Sequence, residues 1–542
     1  MKIPFRSFGP MFDCSRNAVL TMDSIRQLID ICAELGYSSF LLYMEDTYEV
    51  ENNPYFGYGR GRYSCEELRQ IDSYAKEKGL ELIPCIQTLG HLTCIFKWGP
   101  YGPLRDCHNI LMPCEEKTYQ LIEDMFRTLS KCVSTRVINI GLDEAHMVGR
   151  GRYYDRHGDV DHKTLLVQHV AGVAKIAEKY GFRVCMWSDM FFRMASGGEY
   201  YNSNVTVSEE LKAMIPENVD LIYWDYYFDD VSHYNAMMAA HEKIKPGYWF
   251  AGVLGSCRGF TPNNGVSIKN TKAALESCRQ QKVQDVFMTS WGDDGGECSR
   301  FSFLPSLVYA AEAAKGNTDM DSIRQRFETL FGISWDSFML LDLLNGDVRT
   351  NNSKYLLYND PFFGLLDLKI SGNVGQKYGE MAEKLTPYLA HARWGYLFET
   401  AYALCRALEI KANLGQKTRA AYQQGQKDVL ADLVTQYQEL SRRLRVFFEA
   451  FRKQWFLENK PFGFDVQNIR LGGLMNRVEH CTCLLMQYLD GKLEKIDELE
   501  ETVLDYTGGG QPQGINDFMA IDYKDMITPN VLVEPNAVFT CL

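Results

Sequence analysis

Two adjacent carboxylates, Asp143 and Glu144, are the residues whose type and spacing most directly suggest chemistry. They follow the apolar run Arg136–Ile140, which predicts a buried β-strand. Neighbouring side chains of a strand point to opposite sides, so both carboxylates reach one pocket only if the chain leaves strand geometry at this pair. The two carboxyl groups could then play two different roles in the reaction of one substrate, such as acid–base catalysis and stabilisation of charge. We predict that the pair is catalytic and not a solvated surface pair.

Histidine and aromatic side chains follow other predicted strands. His91 comes after the run Leu80–Ile86, and we expect it to face the two carboxylates as a hydrogen-bonding or proton-tuning partner. Aromatic faces match the apolar C–H faces of a pyranose, and carboxylates accept hydrogen bonds from its hydroxyls. The candidates at the ends of strands 5, 6 and 8 are Trp187, Asp189, Trp224, Tyr226, Tyr227, Trp291, Asp293 and Asp294. Together they predict a sugar-binding pocket with tryptophan walls.

A metal site is the weaker interpretation of the acidic residues near the eighth strand. Asp293, Asp294 and Glu297 could ligate Ca²⁺, but their spacing is not that of an EF-hand loop. None of the ten histidines falls into a zincin pattern. We therefore predict neither a metal nor another cofactor.

Two Gly-Arg-Gly-Arg stretches, Gly59–Arg62 and Gly149–Arg152, would lie on the same face as the carboxylates. Their arginines could order loops by pairing with Glu45, Asp46 or Asp155, which is the interpretation that we favour. The alternative is that Arg60 or Arg152 binds an anionic substituent on the substrate.

The elements that must position these residues alternate regularly between residues 3 and 316. Their near-continuous apolar character is typical of parallel strands buried on both faces. The predicted strands are Ile3–Phe8, Tyr37–Tyr43, Leu80–Ile86, Arg136–Ile140, Phe182–Trp187, Val219–Trp224, Tyr248–Leu254 and Asp285–Ser290. Helical periods separate them, and Gly36, Gly79 and Gly181 follow three of the helices. Eight strand–helix pairs predict an α/β fold, a (β/α)8 TIM barrel over residues 1–316, with functional residues where strands end.

After residue 316 long helical periods replace the strand–helix alternation. These periods cover Tyr378–His391, Gly395–Asn413, Lys427–Asn459 and Gly473–Leu489. They predict an α-helical C-terminal domain over residues 317–542, with an irregular tail from Gly508. Homodimerisation through this domain is a further hypothesis.

Composition and charge restrict the class of protein. The 542 residues are 46% hydrophobic and 23% charged, as in a folded globular protein, and the net charge of −13 opposes binding to nucleic acid or an anionic membrane. The start of the chain lacks the pattern of a signal peptide, and no window of about 18 apolar residues predicts a membrane span. The sixteen cysteines have no framework spacing. We expect a cytoplasmic protein with reduced, mostly buried thiols.

The ordered set of motifs resembles glycoside hydrolase family 20, the β-N-acetylhexosaminidases. The matching segments are Gln87–His91, Gly141–Glu144, Met186–Asp189 and Trp291–Glu297, with Glu45–Tyr48 and Arg60–Tyr63. The segments Asn459–Pro461 and Arg470–Leu474 are similar to those of bacterial members with a helical C-terminal domain, so the resemblance covers nearly the whole chain. Many members place an arginine five residues before the strand 1 aspartate, where it binds the sugar's outer hydroxyls. Here Phe8 stands in that place relative to Asp13, and Arg6 or Arg16 is the candidate substitute.

This resemblance implies substrate-assisted catalysis by a retaining exo-enzyme that removes terminal β-linked GlcNAc or GalNAc. The 2-acetamido oxygen of the substrate would attack C1 and form an oxazolinium intermediate. Glu144 would act as acid and then base, while Asp143 would hold the acetamido N–H. Tyr226 or Tyr227 would orient the acetamido oxygen. The residues enclosing the sugar would be Trp187, Trp224 and Trp291.

Other functions fit parts of the pattern. One alternative is a barrel hydrolase of another acetamido-assisted class with differently placed carboxylates. Another is a non-catalytic carbohydrate-binding protein on a hexosaminidase-like barrel, which the intact Asp143–Glu144 pair opposes. A third is an interaction scaffold built on the helical domain, although long amphipathic helices are usually core.

Overall fold

The computed structural model describes residues 3–255, 258–345, 352–508, 523–530 and 532. Eight parallel strands close into a barrel, and each strand pairs with the strands before and after it in the chain. The strands are β1 (Ser7–Asp13), β2 (Ser39–Glu45), β3 (Glu81–Ile86), β4 (Val137–Asn139), β5 (Arg183–Trp187), β6 (Val219–Trp224), β7 (Trp249–Val253) and β8 (Asp285–Ser290). The predicted (β/α)8 barrel is confirmed.

Helices cover the outside of the barrel. The longer ones are α1 (Met22–Leu35), α2 (Cys65–Glu77), α3 (Glu116–Cys132), α4 (His162–Lys179), α5 (Val231–Ile244), α6 (Asn264–Gln280) and α7 (Leu304–Ala314). Only short helices, Asp189–Ser196 and Glu209–Met214, lie between β5 and β6, and Arg152–His157 precedes α4. Local sequence explains several boundaries. Ser64 and Glu67 form a reciprocal capping box at the start of α2, and Gly36 ends α1 with a φ of 86°.

Strand β1 is the one strand whose predicted position is wrong by several residues, because it spans Ser7–Asp13 and not Ile3–Phe8. The Gly9-Pro10 pair suggests a break in the strand, yet both residues lie in register with β8. A side chain at Gly9 would collide with the carbonyl of Ser39 on β2, so glycine permits the close approach of the two strands. The shift carries Asp13 to the carboxyl end of the barrel.

The region after the barrel is helical, as predicted. Its longer helices are α8 (Met320–Phe331), α9 (Val374–Leu385), α10 (Gly395–Gln423), α11 (Lys427–Glu458) and α12 (Phe464–Leu489). Shorter helices are Trp335–Phe338, Asn352–Tyr358, Asp497–Glu500 and Tyr523–Met526. The chain between α11 and α12 packs on the loop after β1, where Lys460 N donates to Val19 O at 2.7 Å. Most of the predicted irregular tail lies outside the described residues.

A disulfide corrects the expectation that all the cysteines are reduced. Cys65 at the start of α2 is bonded to Cys132 at the end of α3, with 5.4 Å between their Cα atoms. The bond ties together two neighbouring helices of the barrel. Most of the other cysteines that the structure describes are buried free thiols. Within the described ranges, no helix combines the length and apolar character needed to cross a membrane.

Candidate active site

A pocket opens at the carboxyl end of the barrel. Its open volume is about 540 Å³, which includes space continuous with solvent. The lining residues are Arg16, His91, Asp143, Glu144, Trp187, Trp224, Tyr226, Tyr227, Trp291 and Asp293. They come from the ends of β1, β3, β4, β5, β6 and β8, so residues far apart in sequence meet at one site.

The backbone leaves strand geometry before the carboxylate pair, as it must if both carboxylates are to reach one pocket. Strand β4 ends at Asn139, and Gly141, Leu142 and Glu144 have φ values of 75°, 68° and 51°. Positive φ is strained for residues with a side chain, and such strain is concentrated at functional sites. The result is that Asp143 and Glu144 both line the pocket.

The two carboxylates differ in their surroundings. The Asp143 side chain is only 14% exposed, and its Oδ1 accepts a 2.7 Å hydrogen bond from Gln87 Nε2. The Glu144 side chain is 53% exposed, which leaves its carboxyl group free to meet a substrate from solvent. Asp143 is therefore held in one place, while Glu144 stands at the mouth of the pocket.

His91 lies between the carboxylates. Its Nε2 is 3.1 Å from Asp143 Oδ2 and 3.6 Å from Glu144 Oε2. Burial alone would lower the pKa of His91, but the negative charge of Asp143 outweighs it and raises that pKa to about 9. The positive imidazole in turn lowers the pKa of Asp143 against the effect of burial. At neutral pH the site contains an imidazolium beside an ionised Asp143.

A chain of polar groups on β2 continues from Asp143 to the far side of the pocket. Gln87 Nε2 also contacts the Tyr43 hydroxyl at 2.8 Å, and that hydroxyl donates to Glu45 Oε1 at 3.1 Å. Glu45 pairs with Arg16, whose Nε lies 3.8 Å from Asp293 Oδ1. The sequence prediction missed Tyr43 as a supporting residue. Its position near the end of β2, two residues before Glu45, is the signal that could have found it.

The tryptophans form the walls. The rings of Trp187 and Trp291 lie 5.9 Å apart, and Tyr43 meets Trp291 edge-on at 4.7 Å. Trp224 stacks on Tyr226 with 5.4 Å between ring centroids. These rings offer flat apolar faces beside carboxylates, which is the combination that a pyranose requires.

Asp189 and Asp294 were predicted to contact the substrate, but they lie behind the pocket and not in its wall. Asp189 supports the backbone of the catalytic loop. It is fully buried, and its Oδ2 accepts a 3.0 Å hydrogen bond from the backbone N–H of Glu144. Burial, followed by the charge of Asp143, raises the pKa of Asp189 to about 7. Asp189 thus fixes the backbone that carries Glu144.

Asp294, also predicted to contact the substrate, instead belongs to a network of ion pairs. Lys354 Nζ lies 3.0 Å from Asp294 Oδ2 and 2.7 Å from Glu297 Oε2, and the guanidinium of Arg470 pairs with the same two carboxylates. The cations come from the helical region, so this network fastens the loop that carries Trp291 and Asp293. Within the described ranges, no cluster of three or more His, Cys, Asp or Glu side chains is arranged to hold a metal ion.

We expect Arg470→Gln to destabilise the protein by about 3–5 kcal/mol, because removal of one partner leaves Asp294 and Glu297 buried with less positive charge. Chemical denaturation would measure the loss. Arg442→Gln is the matched control, since its pair with Glu439 is on the surface, the Arg442 side chain is 75% exposed, and such pairs contribute about 0.2–1 kcal/mol. Equal effects of the two substitutions would contradict a fastening role for Arg470.

Arg6 is also misplaced by the sequence prediction. It precedes β1, and its Nε donates to Asp285 Oδ1 at 2.9 Å at the start of β8. Both residues are at the amino end of the barrel, opposite the pocket. Of the two candidate arginines, Arg16 is the one that lines the pocket.

The Gly-Arg-Gly-Arg arginines order loops. Arg60 pairs with Asp46 at 3.2 Å, and Arg152 Nη1 donates to the carbonyl of Gly102 at 2.6 Å. Neither residue lines the pocket, so the favoured interpretation of Arg60 is confirmed, and neither arginine is placed to bind a substituent of a sugar in the pocket.

Comparison with known proteins identifies the family of this chain. "Glycosyl hydrolase family 20, catalytic domain" matches residues 4–245, and "Glycoside Hydrolase 20C C-terminal domain" matches residues 337–518. The chain belongs to glycoside hydrolase family 20. This confirms the resemblance of the sequence motifs to family 20. The protein is a glycoside hydrolase.

Individual relatives of this family 20 chain are distant. Bovine Hexosaminidase D is 22% identical over 336 residues, which is 57% of this chain and 92% of the relative. Human Hexosaminidase D is 23% identical over 335 residues, covering 57% of this chain and 66% of that protein. A solved exo-β-N-acetylglucosaminidase from Vibrio harveyi is 15% identical, with a TM-score of 0.46, over 62% of this chain and 58% of that one.

Proposed function

We propose that this glycoside hydrolase is a retaining exo-β-N-acetylhexosaminidase that removes terminal β-linked GlcNAc or GalNAc by substrate-assisted catalysis. One observation carries the proposal: Asp143 and Glu144 both line a tryptophan-walled pocket and both contact His91. Adjacent carboxylates in one pocket can act on neighbouring atoms of one sugar. They suit a reaction in which one of them handles the acetamido group and the other the glycosidic oxygen.

In the first step the acetamido oxygen attacks C1, and the bond from C1 to the glycosidic oxygen breaks. Glu144 gives its proton to that oxygen, so the leaving group departs as an alcohol. Asp143 accepts a hydrogen bond from the acetamido N–H and stabilises the positive charge that develops on the oxazolinium ring. His91 keeps Asp143 ionised for this role.

In the second step water attacks C1 and opens the oxazolinium ring, while Glu144 takes a proton from the water. Two displacements at C1 restore the β-configuration. Either Tyr226 or Tyr227 supplies the hydroxyl that aims the acetamido oxygen, because both line the pocket. Such aiming makes the attack intramolecular and removes much of its entropic cost.

The direct test compares a chromogenic β-N-acetylglucosaminide with the corresponding β-glucoside, which lacks the acetamido nucleophile. We expect hydrolysis of the first, none of the second, and the β-anomer as the initial product by NMR. Equal rates on the two substrates, or an initial α-anomer, would overturn the substrate-assisted assignment. Parallel rates on the GlcNAc and GalNAc substrates would measure the preference between them.

Arg16 and Asp293 suit recognition of the outer hydroxyls of the terminal sugar, which is what exo-action requires. We expect Arg16→Ala to raise KM by roughly 10–100-fold, equivalent to a charge-assisted hydrogen bond of about 1.5–3 kcal/mol. Arg16→Lys, which keeps the charge beside Glu45, should lose less. Arg6→Ala is the control and should leave KM unchanged, since Arg6 lies at the opposite end of the barrel. A wild-type KM for Arg16→Ala would remove Arg16 from the binding site.

A further inference from the structure

A second cavity lies beside the catalytic pocket on the same end of the barrel. Its open volume is about 840 Å³, and it is lined by His146, His162, Lys163, Arg193, Met190 and Met194, with glycines completing its wall. We call it the cationic pocket after Lys163 and Arg193; its other ionisable lining residues are the two histidines, and burial lowers the pKa of His146. Such a cavity is notable on a chain whose net charge is −13.

The cationic pocket adjoins Glu144. His146 is two residues after Glu144, and its backbone N–H donates to the Glu144 carbonyl at 2.8 Å. On the other wall, Met190 and Arg193 belong to the helix that begins at Asp189, the residue that accepts from the Glu144 backbone. The cavity is therefore formed in part by the loop after Glu144 and the helix after Asp189, and His162 and Lys163 at the start of α4 complete it.

The position of Glu144 indicates which part of a substrate would meet this cavity. A general acid must lie within hydrogen-bond reach of the glycosidic oxygen, so the leaving group has to be beside Glu144. With the terminal sugar among the tryptophans, the next sugar extends past Glu144 towards solvent. Because His146 is two residues after Glu144, the cationic pocket would lie beside that path.

Lys163 and Arg193, the two permanent cations of the pocket, can still accept a ligand. Among the residues that the structure describes, no carboxylate lies within 4.0 Å of the charged group of Lys163 or Arg193. Arg193 Nη1 donates to the Gly198 carbonyl at 2.7 Å, and its guanidinium lies 5.9 Å from the Tyr200 ring, while its buried Nε has no hydrogen-bond partner in the described chain. A buried, unpartnered guanidinium nitrogen is costly unless a ligand satisfies it.

The acid beside His162 at the rim does not neutralise the pocket. Asp161 lies 4.0 Å from His162 Nδ1, but its other oxygen accepts from the backbone and hydroxyl of Thr164 at 3.0 Å as the N-cap of α4. The amino end of this 18-residue helix adds a partial positive charge at the same rim. Lys163 thus remains available to an anion, whereas Arg193 also interacts with the charge of buried Asp189, and burial lowers the pKa of His146.

We propose that the cationic pocket is a leaving-group subsite that binds an anionic substituent, a sulfate or a carboxylate, on the sugar next to the terminal N-acetylhexosamine. The inference rests on the proposed function, because the placement of the leaving group follows from Glu144 as the acid. It assigns the enzyme to acidic glycans as its substrate class. Arg193 and Lys163 contact the anion, and the methionines receive the apolar face of the sugar.

The test uses matched disaccharides in which terminal β-GlcNAc is linked to galactose or galactose 6-sulfate, and to glucose or glucuronic acid. We expect the wild-type enzyme to have a KM about tenfold lower for the anionic member of a pair, as one partly solvated charge-assisted contact would give. The preference should shrink as salt is added. A preference confined to sulfate, or to the uronic acid, identifies the group that the pocket binds.

Variants of Lys163 test whether the cationic pocket causes the preference for anionic substrates. Lys163 is on the surface, so these variant proteins should fold. Lys163→Gln should reduce the anion preference several-fold, Lys163→Glu should abolish or reverse it, and Lys163→Gln with Arg193→Gln should abolish it. Lys175→Gln removes the same charge about 18 Å further along α4 and should change nothing. An unchanged preference in Lys163→Glu would overturn the assignment.

Failure of the subsite and failure of the proposed function give different results. If the chromogenic β-N-acetylglucosaminide is hydrolysed but the anionic and neutral disaccharides have equal KM values, only the subsite is wrong. If the chromogenic substrate is not hydrolysed, the proposed function is wrong. Calorimetric binding of the same disaccharide pairs to wild type and Lys163→Glu then tests the pocket without turnover.

Discussion

Glu144→Gln should lower kcat on an unactivated β-N-acetylhexosaminide by roughly 10²–10⁴-fold, which is the contribution usual for general acid–base catalysis. Glutamine keeps the size of the side chain but has no proton to give to the departing oxygen. The Glu144 backbone N–H, which donates to Asp189, is unaffected by the change. Steady-state kinetics on an oligosaccharide substrate would measure the effect.

The leaving group provides an internal control for this experiment. A dinitrophenyl leaving group departs as a stable anion and needs little protonation, so its first step should lose much less than that of a natural sugar. Glu178→Gln, a surface carboxylate on α4, removes the same charge and should leave both rates unchanged. Near-normal turnover of Glu144→Gln on the unactivated glycoside would show that another residue is the acid.

The barrel could be predicted from the sequence because each parallel strand is buried on both faces and therefore consists of a short apolar run. Seven strands lie within a few residues of their predicted positions, and Val219–Trp224 and Asp285–Ser290 have both bounds as predicted. Strand β1 was misplaced because Gly9-Pro10 normally interrupts a strand. Only the approach of the Ser39 backbone explains the glycine, and that is a tertiary contact.

The candidate site could be predicted only in part, because the direction of a side chain also depends on tertiary contacts. Strand ends identify which residues reach the carboxyl face, but they do not show which side chains point into the pocket. Asp189 and Asp293 both come two residues after a strand-end tryptophan, yet Asp189 turns inward to the Glu144 backbone and Asp293 lines the pocket. The partners of Asp294, Lys354 and Arg470, are 60 and 176 residues away in sequence, so no local pattern could pair them.

Asp143→Asn is the second substitution with a large expected effect. We expect kcat to fall by roughly 10²–10³-fold, the loss typical when one preorganised group that stabilises charge is removed. Asparagine can still contact the acetamido group, but it carries no negative charge to stabilise the oxazolinium ring. Binding of a thiazoline mimic of the cyclised intermediate should weaken markedly, whereas Glu144→Gln should still bind it, because protonation of the leaving group is over at that stage.

The same substitution has a consequence for His91 that can be measured separately from catalysis. The charge of Asp143 raises the pKa of His91 to about 9, above its ordinary value of 6.5, whereas burial acts in the opposite direction. In wild type the imidazolium therefore contributes stability that is complete below about pH 6.5 and is lost as the pH rises through about 9. In Asp143→Asn burial remains and the charge of Asp143 is gone, while Glu45 still raises the His91 pKa, so NMR titration should show a His91 pKa well below the wild-type value and denaturation should lose most of this pH dependence. Unchanged thiazoline affinity together with an unchanged His91 pKa would mean that Asp143 neither stabilises the intermediate nor controls the histidine, and the role proposed for the carboxylate pair would be wrong.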